Sequence, residues 1–462
     1  MTGPWVGDHN VALLTDLYEL TMAGAYLAEG ITGTATFELS VRSLPDERNF
    51  LVIAGTNDAI HILETMSFSD REVGYLRSLG KFDEAFLSYL GRWAFAGEAW
   101  AVPEGAVCFG TEPLMRVTAP LIHAQIIETL LLNTVGFQTL IASKAARVAV
   151  AAAGTSFVDF GARRSHGADA ALRAARAAYI AGADATSMVL AGSMFDIPVT
   201  GTMAHSYVMG HRSEGEAFVA FARSYPNDAV LLVDTYDTLE GARIAAAAAL
   251  QLADEGITVR AVRLDSGDLA ALAFGVRKIL DEADLRHVQV LASGGLDEHG
   301  VARLVQTGAP IDGFGVGTAM VVSADAPSLD IVYKMVDGPA GPVMKTSSGK
   351  VSLPGIHQVF RQHGDGNWSG DVIALADEVD VPGEPLLAPV MGQGRRVGPV
   401  PNIAEARRLC REGIDAMPPR LRGLDGPADP PYPVAITPAL EELANRLGGD
   451  PLDWPPDHPD HS

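Results

Sequence analysis

The chain has 462 residues, with 34 Lys and Arg against 57 Asp and Glu, a formal net charge of −23 at pH 7. That balance argues against non-specific nucleic-acid binding and against docking on an anionic membrane surface, but leaves room for small anionic substrates gathered by a local basic cluster. The two cysteines, Cys108 and Cys410, make no disulfide framework or metal motif, the first residues carry no signal-peptide pattern, and no stretch approaches the roughly 20 apolar residues of a membrane span, so a cytoplasmic location is expected.

In chain order, apolar residues at helical spacing predict a helix over 13–27, capped by Thr15 or Asp16, and alternation predicts a strand over 34–41. Helices are expected over 52–66 and 70–79, the latter with Asp70 and Glu72 favourably placed in its first turn. Short strands broken by Pro and Gly follow over 97–117, and then one long small-residue helix over 122–153. From there four apolar runs, LLVDTYDT (231–238), VRAVRLDSGD (259–268), VQVLASGGLD (288–297) and IDGFGVGT (311–318), alternate with helices over 241–255, 269–282 and 298–307. SFVDFG (156–161) with a helix over 168–181 reads as an earlier βα unit, and 183–190 followed by IPVTGTMAHS (197–206) as another. Repeated βα units mean a parallel sheet buried on both faces. Polar residues recur at strand end after strand end, which favours an α/β barrel over a doubly wound sheet, where they would gather at one switch point. Beyond Met335 the pattern breaks: 345–361 reads as an exposed turn between strands, 372–376 as a strand, and the Pro-rich end as disordered.

The strand ends carry the chemistry. Asp234 suits a metal or a ribose hydroxyl, whereas helix capping alone accounts for Asp237. Arg263 and Asp265, two apart on one strand, share a face; they suit an anion and a ligand hydroxyl, or a rim salt bridge with Asp268 as a cap. Ser293-Gly294-Gly295 and Gly315-Val316-Gly317-Thr318 are successive small-residue strand ends of the kind that lets backbone N–H groups approach a phosphate. Arg163, Arg164 and His166 form the tightest basic cluster and suit an anion. On pattern alone His205 stays open between a structural and a catalytic role. Zinc-peptidase, nucleophile-elbow and P-loop motifs are missing.

TDLYELTM (15–22), FVDFGARRSHG (157–167), TGTMAHS (200–206), VDTYDT (233–238), VRLDSGDL (262–269), ASGGLDE (292–298) and FGVGT (314–318) occur in the order that resembles the nicotinate phosphoribosyltransferases, over about residues 10–400. The resemblance implies formation of nicotinate mononucleotide and pyrophosphate from nicotinate and 5-phosphoribosyl 1-pyrophosphate (PRPP), the first step of NAD salvage from nicotinate. It implies Mg²⁺, ATP as a co-substrate coupled through a phosphohistidine, a ligase classification, and a homodimer with shared active sites. The implied fold is an irregular α/β barrel of the type II phosphoribosyltransferase kind over 131–335. An α+β N-terminal domain (1–130) would be completed by 336–400, leaving a C-terminal helix and Pro-rich tail over 401–462. By motif match, Tyr18 is the aromatic that stacks on the pyridine ring, often from the partner subunit, and Phe160 lies on the opposite face. Thr202 and Arg263 belong to the nicotinate pocket, and Arg163 to an anion site. His205 is the phosphorylated histidine, and Asp234 and Asp265 are acids near ribose and metal. Ser293, Gly294, Gly295, Gly317 and Thr318 belong to phosphate loops, and Lys345 and Lys350 to a basic segment. Two departures stand out: Met188 where many relatives have Asn, and His357 where they often have Lys, which implies one positive charge fewer at neutral pH. The rivals are a quinolinate or nicotinamide phosphoribosyltransferase on the same fold and a catalytically silent homologue, the last disfavoured by the presence of His205, Arg263 and Asp265.

Overall fold

The computed structural model describes residues 6–7, 9–347, 352–364, 367–448, 452 and 454. The first elements are α1 (Leu17–Glu29), β1 (Thr34–Val41), β2 (Leu51–Val52), α2 (Thr56–Thr65), α3 (Asp70–Ser78), α4 (Glu84–Leu90), β3 (Glu98–Ala101), β4 (Val107–Cys108), β5 (Pro113–Pro120), α5 (Leu121–Ile126) and α6 (Glu128–Ala152). The βα region holds β6 (Ser156–Asp159), α7 (Ala168–Ile180), β7 (Ala185–Thr186), α8 (Val189–Phe195), α9 (His205–Met209), α10 (Glu214–Ser224), β8 (Val230–Leu232), α11 (Thr238–Ala253), β9 (Ala261–Leu264), α12 (Leu269–Glu282), β10 (Gln289–Ala292), α13 (Glu298–Gln306), β11 (Gly313–Val316) and α14 (Thr318–Val321). Then come β12 (Ile331–Gly338), β13 (Gly341–Pro342), β14 (His357–Gly364), β15 (Asn367–Leu375), β16 (Glu384–Pro385), β17 (Ala388–Gly392), β18 (Arg395–Arg396), α15 (Ile403–Ala416), β19 (Val434–Ile436) and α16 (Pro438–Gly448). The chain divides into two compact units, Met1–Ser143 with Ser328–Ser462, and Lys144–Pro327.

Among the described residues the first unit holds a seven-stranded sheet in the order β13-β12-β1-β5-β3-β17-β18, so strands from both ends of the chain share it. Three expectations change here, each for a local reason. The helix expected from 52 begins only at Thr56, because Leu51 and Val52 pair with β4 and Gly55 turns at φ 94°. A side chain at Gly55 would meet the Thr134 carbonyl at 2.5 Å, so only glycine fits the turn. The long helix over 122–153 is two helices that meet at Ile127. At the break the Thr129 N–H donates to the buried Glu19 carboxylate at 3.0 Å instead of to the preceding turn. Of the Pro-rich end, Leu452 and Trp454 pack on the core, with the Leu452 N–H on Asn445 at 2.6 Å, so that part is not the disordered tail expected. His357 is buried on β14, its Nδ1 2.7 Å from Glu38 and its Nε2 3.1 Å from the Pro354 carbonyl. Both ring nitrogens thus face oxygens inside the protein.

A buried polar knot ties β14 and β15 to the early strands. Arg361 forks onto Asp371 at 3.1 and 2.7 Å, is covered by the Trp368 ring at 3.9 Å, and donates to the Val107 carbonyl at 2.9 Å. Glu112 lies fully buried against Asp371, and burial, with the Asp371 charge, pushes its carboxyl well above the usual range. Protonated, it donates to Asp371 while accepting from the Phe109 N–H at 2.9 Å. A raised carboxyl favours the fold fully below the unfolded value of 4.5, and that contribution is lost as pH rises toward the folded value. Glu112→Gln keeps a donor toward Asp371 at every pH. It is expected to raise stability by about 1–3 kcal/mol at pH 8 and by much less at pH 4.5, as read by urea unfolding at both pH values. Equal shifts at the two pH values would contradict the protonated Glu112.

The second unit is the expected irregular α/β barrel. Its curled parallel sheet runs β7-β6-β11-β10-β9-β8 among the described residues. Of 183–190 and 197–206, read together as a βα unit, the structure makes strand β7 and one bridge, Val199 to Thr186, while Thr202 and Met203 turn toward Arg263. Apolar side chains of the strands, the Ala-rich face of α11 and Ala273, Val276 and Leu280 of α12 fill the core. Asp237, Asp268 and Asp297 cap α11, α12 and α13 through their side chains, which confirms the capping reading of Asp237 and Asp268. Buried Lys144 and Arg147, one helical turn apart on α6, both reach Glu298, at 2.6 and 2.9 Å. These groups hold the start of α13 and were not singled out from sequence.

Candidate active site

The polar residues of the second unit converge at the C-terminal ends of its strands. Arg263, at the end of β9, is the hub. Its Nε donates to Ser293 at 2.8 Å, Nη1 to Thr202 at 2.7 Å and Nη2 to Asp265 at 2.9 Å. The Phe160 ring lies 5.4 Å from the guanidinium carbon. Three of the five guanidinium N–H groups are therefore spent on side chains, and the Met203 carbonyl stands 3.5 Å from Nη1. The fork that sequence reading offers to a ligand is used mainly to build a rigid platform, and the rim salt bridge with Asp265 exists as well.

Asp265 sits between Arg263 and His205. Its Oδ1 accepts from Arg263 and from the Ser293 hydroxyl at 2.5 Å, while Oδ2 stands 3.9 Å from His205 Nε2. Burial acts to raise this carboxyl, but the donors Ser293 and Arg263 and the nearby positive charge prevail and hold it below the usual carboxylate range. Ser293 has one hydroxyl hydrogen, which goes to Asp265, and its oxygen accepts the Arg263 Nε–H. At 3% exposure the hydroxyl has no donor left for a phosphate, so Ser293 departs from the phosphate-loop role. Asp234, after β8, accepts from the Asp265 N–H at 2.9 Å and the Ser266 hydroxyl at 2.6 Å through Oδ2. Its Oδ1 is buried and accepts no hydrogen bond among the described residues. His205 is the first residue of α9, with Nδ1 3.2 Å from the Thr235 hydroxyl.

The glycines earn their place by close approach. Gly294 turns at φ 95°, and a side chain there would come within 1.9 Å of the Asp265 carbonyl oxygen. Gly295 is also left-handed, with open space around it. A side chain at Gly315 would strike the Phe160 ring at 2.5 Å, so the small residue lets that ring lie against β11. Gly317 and the exposed Thr318 start the short α14. Arg163, Arg164 and His166 are exposed just beyond β6, with no hydrogen bond or ion pair from their side chains among the described residues.

Some site residues belong elsewhere. Tyr18 lies in the first unit on α1, 46% exposed, and burial of its hydroxyl together with its hydrogen bond to Glu128 raises its pKa. Lys345 is an exposed residue of the same unit, and Lys350 lies outside the described residues. Met188 occupies the N-cap of α8 and offers no side-chain cap. Asp159 was missed. It is buried at the end of β6, accepts from the Gly161 N–H and the Thr186 hydroxyl, both at 2.8 Å, and is pushed upward by burial against those bonds. A lone carboxylate inside the apolar run SFVDFG was the available signal. Thr235 and Thr186 gave none.

With this geometry in place, the likeness to known proteins is specific. The family model for nicotinate phosphoribosyltransferase matches residues 155–350, its N-terminal domain model 13–136 and its C-terminal domain model 380–444. The chain belongs to the nicotinate phosphoribosyltransferase family. Among family members, a nicotinate phosphoribosyltransferase of Mycobacterium tuberculosis is 48% identical over 443 residues, covering 96% of this chain and 95% of the other. One from Bacillus subtilis is 44% identical over 380 residues, 80% of this chain and 77% of that one. The crystal structure of human nicotinic acid phosphoribosyltransferase superposes with a TM-score of 0.83 at 30% identity, covering 94% of this chain and 99% of that one. No helix among the described residues is long and apolar enough to cross a membrane.

Proposed function

We propose that the chain joins nicotinate to C1 of PRPP, giving nicotinate mononucleotide and pyrophosphate, with ATP hydrolysis coupled through a phosphorylated His205. The observation that carries the reading is the Arg263 platform: a guanidinium fixed by Thr202, Ser293 and Asp265 beside the Phe160 ring. An aromatic face next to a fixed cation suits a flat aromatic carboxylate. The pyridine nitrogen is itself the nucleophile, so no catalytic base is required, and holding ring and ribose in line supplies much of the rate. Departure of pyrophosphate leaves an oxocarbenium-like centre and concentrates negative charge on the leaving group. Arg163 and Arg164, exposed beyond β6, are suited to that charge. The backbone at Gly294, Gly295, Gly317 and Thr318 suits the phosphates.

Asp234 and Asp265 fit Mg²⁺. Among the described residues the buried Asp234 Oδ1 has no donor, which leaves that oxygen for a cation. Bound there, the ion would neutralise leaving-group charge. A homodimer is part of the same reading, with Tyr18 entering a partner's site. Its exposure, next to exposed Leu17 and Met22 on α1, supports this.

His205 is 40% exposed with Nε2 facing Asp265, a placement open to a phosphoryl donor. His205→Ala is expected to abolish acid-labile ³²P incorporation from γ-labelled ATP and the coupled release of ADP, while ATP-independent nucleotide synthesis persists at a lower rate. Label retained by the variant at the wild-type level would overturn the assignment.

A further inference from the structure

We infer that Asp159 is a positioning residue for Arg163 and Arg164, holding the turn that aims both guanidinium groups at the charge of the leaving pyrophosphate. The inference rests on the reading above in which these two cations meet that charge. Neither side chain makes a hydrogen bond or ion pair among the described residues, so the backbone beneath them sets where they point. That backbone is the single 3₁₀ turn Ala162–Arg164, separated from β6 only by Phe160 and Gly161. The pairing of β6 with β11 ends at Asp159 and Val316, and the Phe160 N–H still donates to the Val316 carbonyl at 2.8 Å. Beyond that the chain leaves the sheet. There Asp159 Oδ1 accepts the Gly161 N–H at 2.8 Å, an aspartate side chain closing onto the backbone two residues on. The Gly161 carbonyl accepts the Arg164 N–H at 2.8 Å. Gly161 is thus held on the strand side by Asp159 and on the turn side by Arg164.

The second carboxylate oxygen anchors this clamp to another strand. Asp159 Oδ2 accepts the Thr186 hydroxyl at 2.8 Å, and the Thr186 oxygen accepts the Met188 N–H at 3.1 Å, at the N-cap of α8. The Asp159 carbonyl takes the Ser187 N–H at 2.9 Å. One carboxylate, 1% exposed, therefore ties the turn after β6 to the end of β7. Charge separates placement from a direct electrostatic role. A buried carboxylate beside an anion site repels the anion, so by charge alone its removal would tighten binding. Weaker binding on removal reports lost placement.

Binding of PRPP with Mg²⁺ to the full-length protein, read by calorimetry without nicotinate, tests the inference. Asp159→Ala removes both acceptors, and the near-isosteric Asp159→Leu does so without opening a cavity. In each, the Kd for PRPP is expected to rise at least about tenfold, the lower end for loss of a partner that orients a ligand-holding group. Asp159→Asn removes the charge but keeps an acceptor for the Gly161 N–H, and its Kd should stay within about threefold of wild type. In the Arg163→Ala, Arg164→Ala double variant, adding Asp159→Leu should change Kd by less than about twofold, because the groups it positions are gone. Wild-type affinity in a folded Asp159→Ala or Asp159→Leu would overturn the inference. So would an equal loss in Asp159→Asn, or the same loss with and without the two arginines. Failure of both Asp159→Ala and Asp159→Leu to fold, read by urea unfolding, would make Asp159 a structural residue and also overturn it. Wild-type PRPP affinity in the Arg163→Ala, Arg164→Ala variant would instead overturn the reading of the arginines themselves.

Discussion

Arg263→Lys is expected to lower kcat/KM for nicotinate at least about tenfold, or roughly 1.4 kcal/mol of transition-state stabilisation. Charge is conserved, so the loss comes from geometry. Arg263 addresses Ser293, Thr202 and Asp265 in three directions from one plane. An ammonium is a single point on a flexible stem and cannot span them. The Ser293 oxygen and Asp265 Oδ1 would each lose a donor, and the flat surface beside Phe160 would become mobile. Steady-state kinetics with nicotinate varied at saturating PRPP measure the effect, and wild-type kinetics would show that charge alone suffices.

Gly294→Ala is the second large effect, and it acts through backbone. The residue sits at φ 95°, where an L side chain is strained, and the new Cβ would lie 1.9 Å from the Asp265 carbonyl oxygen. That atom belongs to the strand end holding Arg263 and Asp265, so relief displaces the platform itself. A stability loss of about 3–5 kcal/mol is expected, in the range of the most damaging single substitutions, with a parallel collapse of activity. Gly295→Ala is the control. It also has a positive φ, 66°, but open space, so it should cost only about 1–2 kcal/mol. Denaturant unfolding of the two variants side by side tests the difference, and equal losses would show that the close approach to Asp265 is not what demands Gly294.

The βα region was legible because each unit carries two independent signals, an apolar run and a polar strand end. β9, β10 and β11 fall inside the runs read from sequence, and α12 covers the expected 269–282. The N-terminal helices were less legible because tertiary partners cut them. Pairing with β4 took Leu51 and Val52, and Glu19 took the Thr129 N–H. Neither partner is near in sequence. In the site, charged and glycine positions at strand ends showed through, while the hydroxyls that fix them did not. Ser293 matters through where its single hydrogen and its lone pair go, and residue type alone cannot show that. The Arg263 fork illustrates the same limit, since composition suggests a ligand and packing spends most of its donors inside the protein.

The most direct test of the account is product formation by the purified full-length protein given PRPP and Mg²⁺ with nicotinate, nicotinamide or quinolinate, each with and without ATP. The account predicts nicotinate mononucleotide and pyrophosphate from nicotinate, faster with ATP and accompanied by ADP, and little product from the other two. Consumption of nicotinamide or quinolinate in preference to nicotinate, or no nucleotide from any of the three, would contradict it.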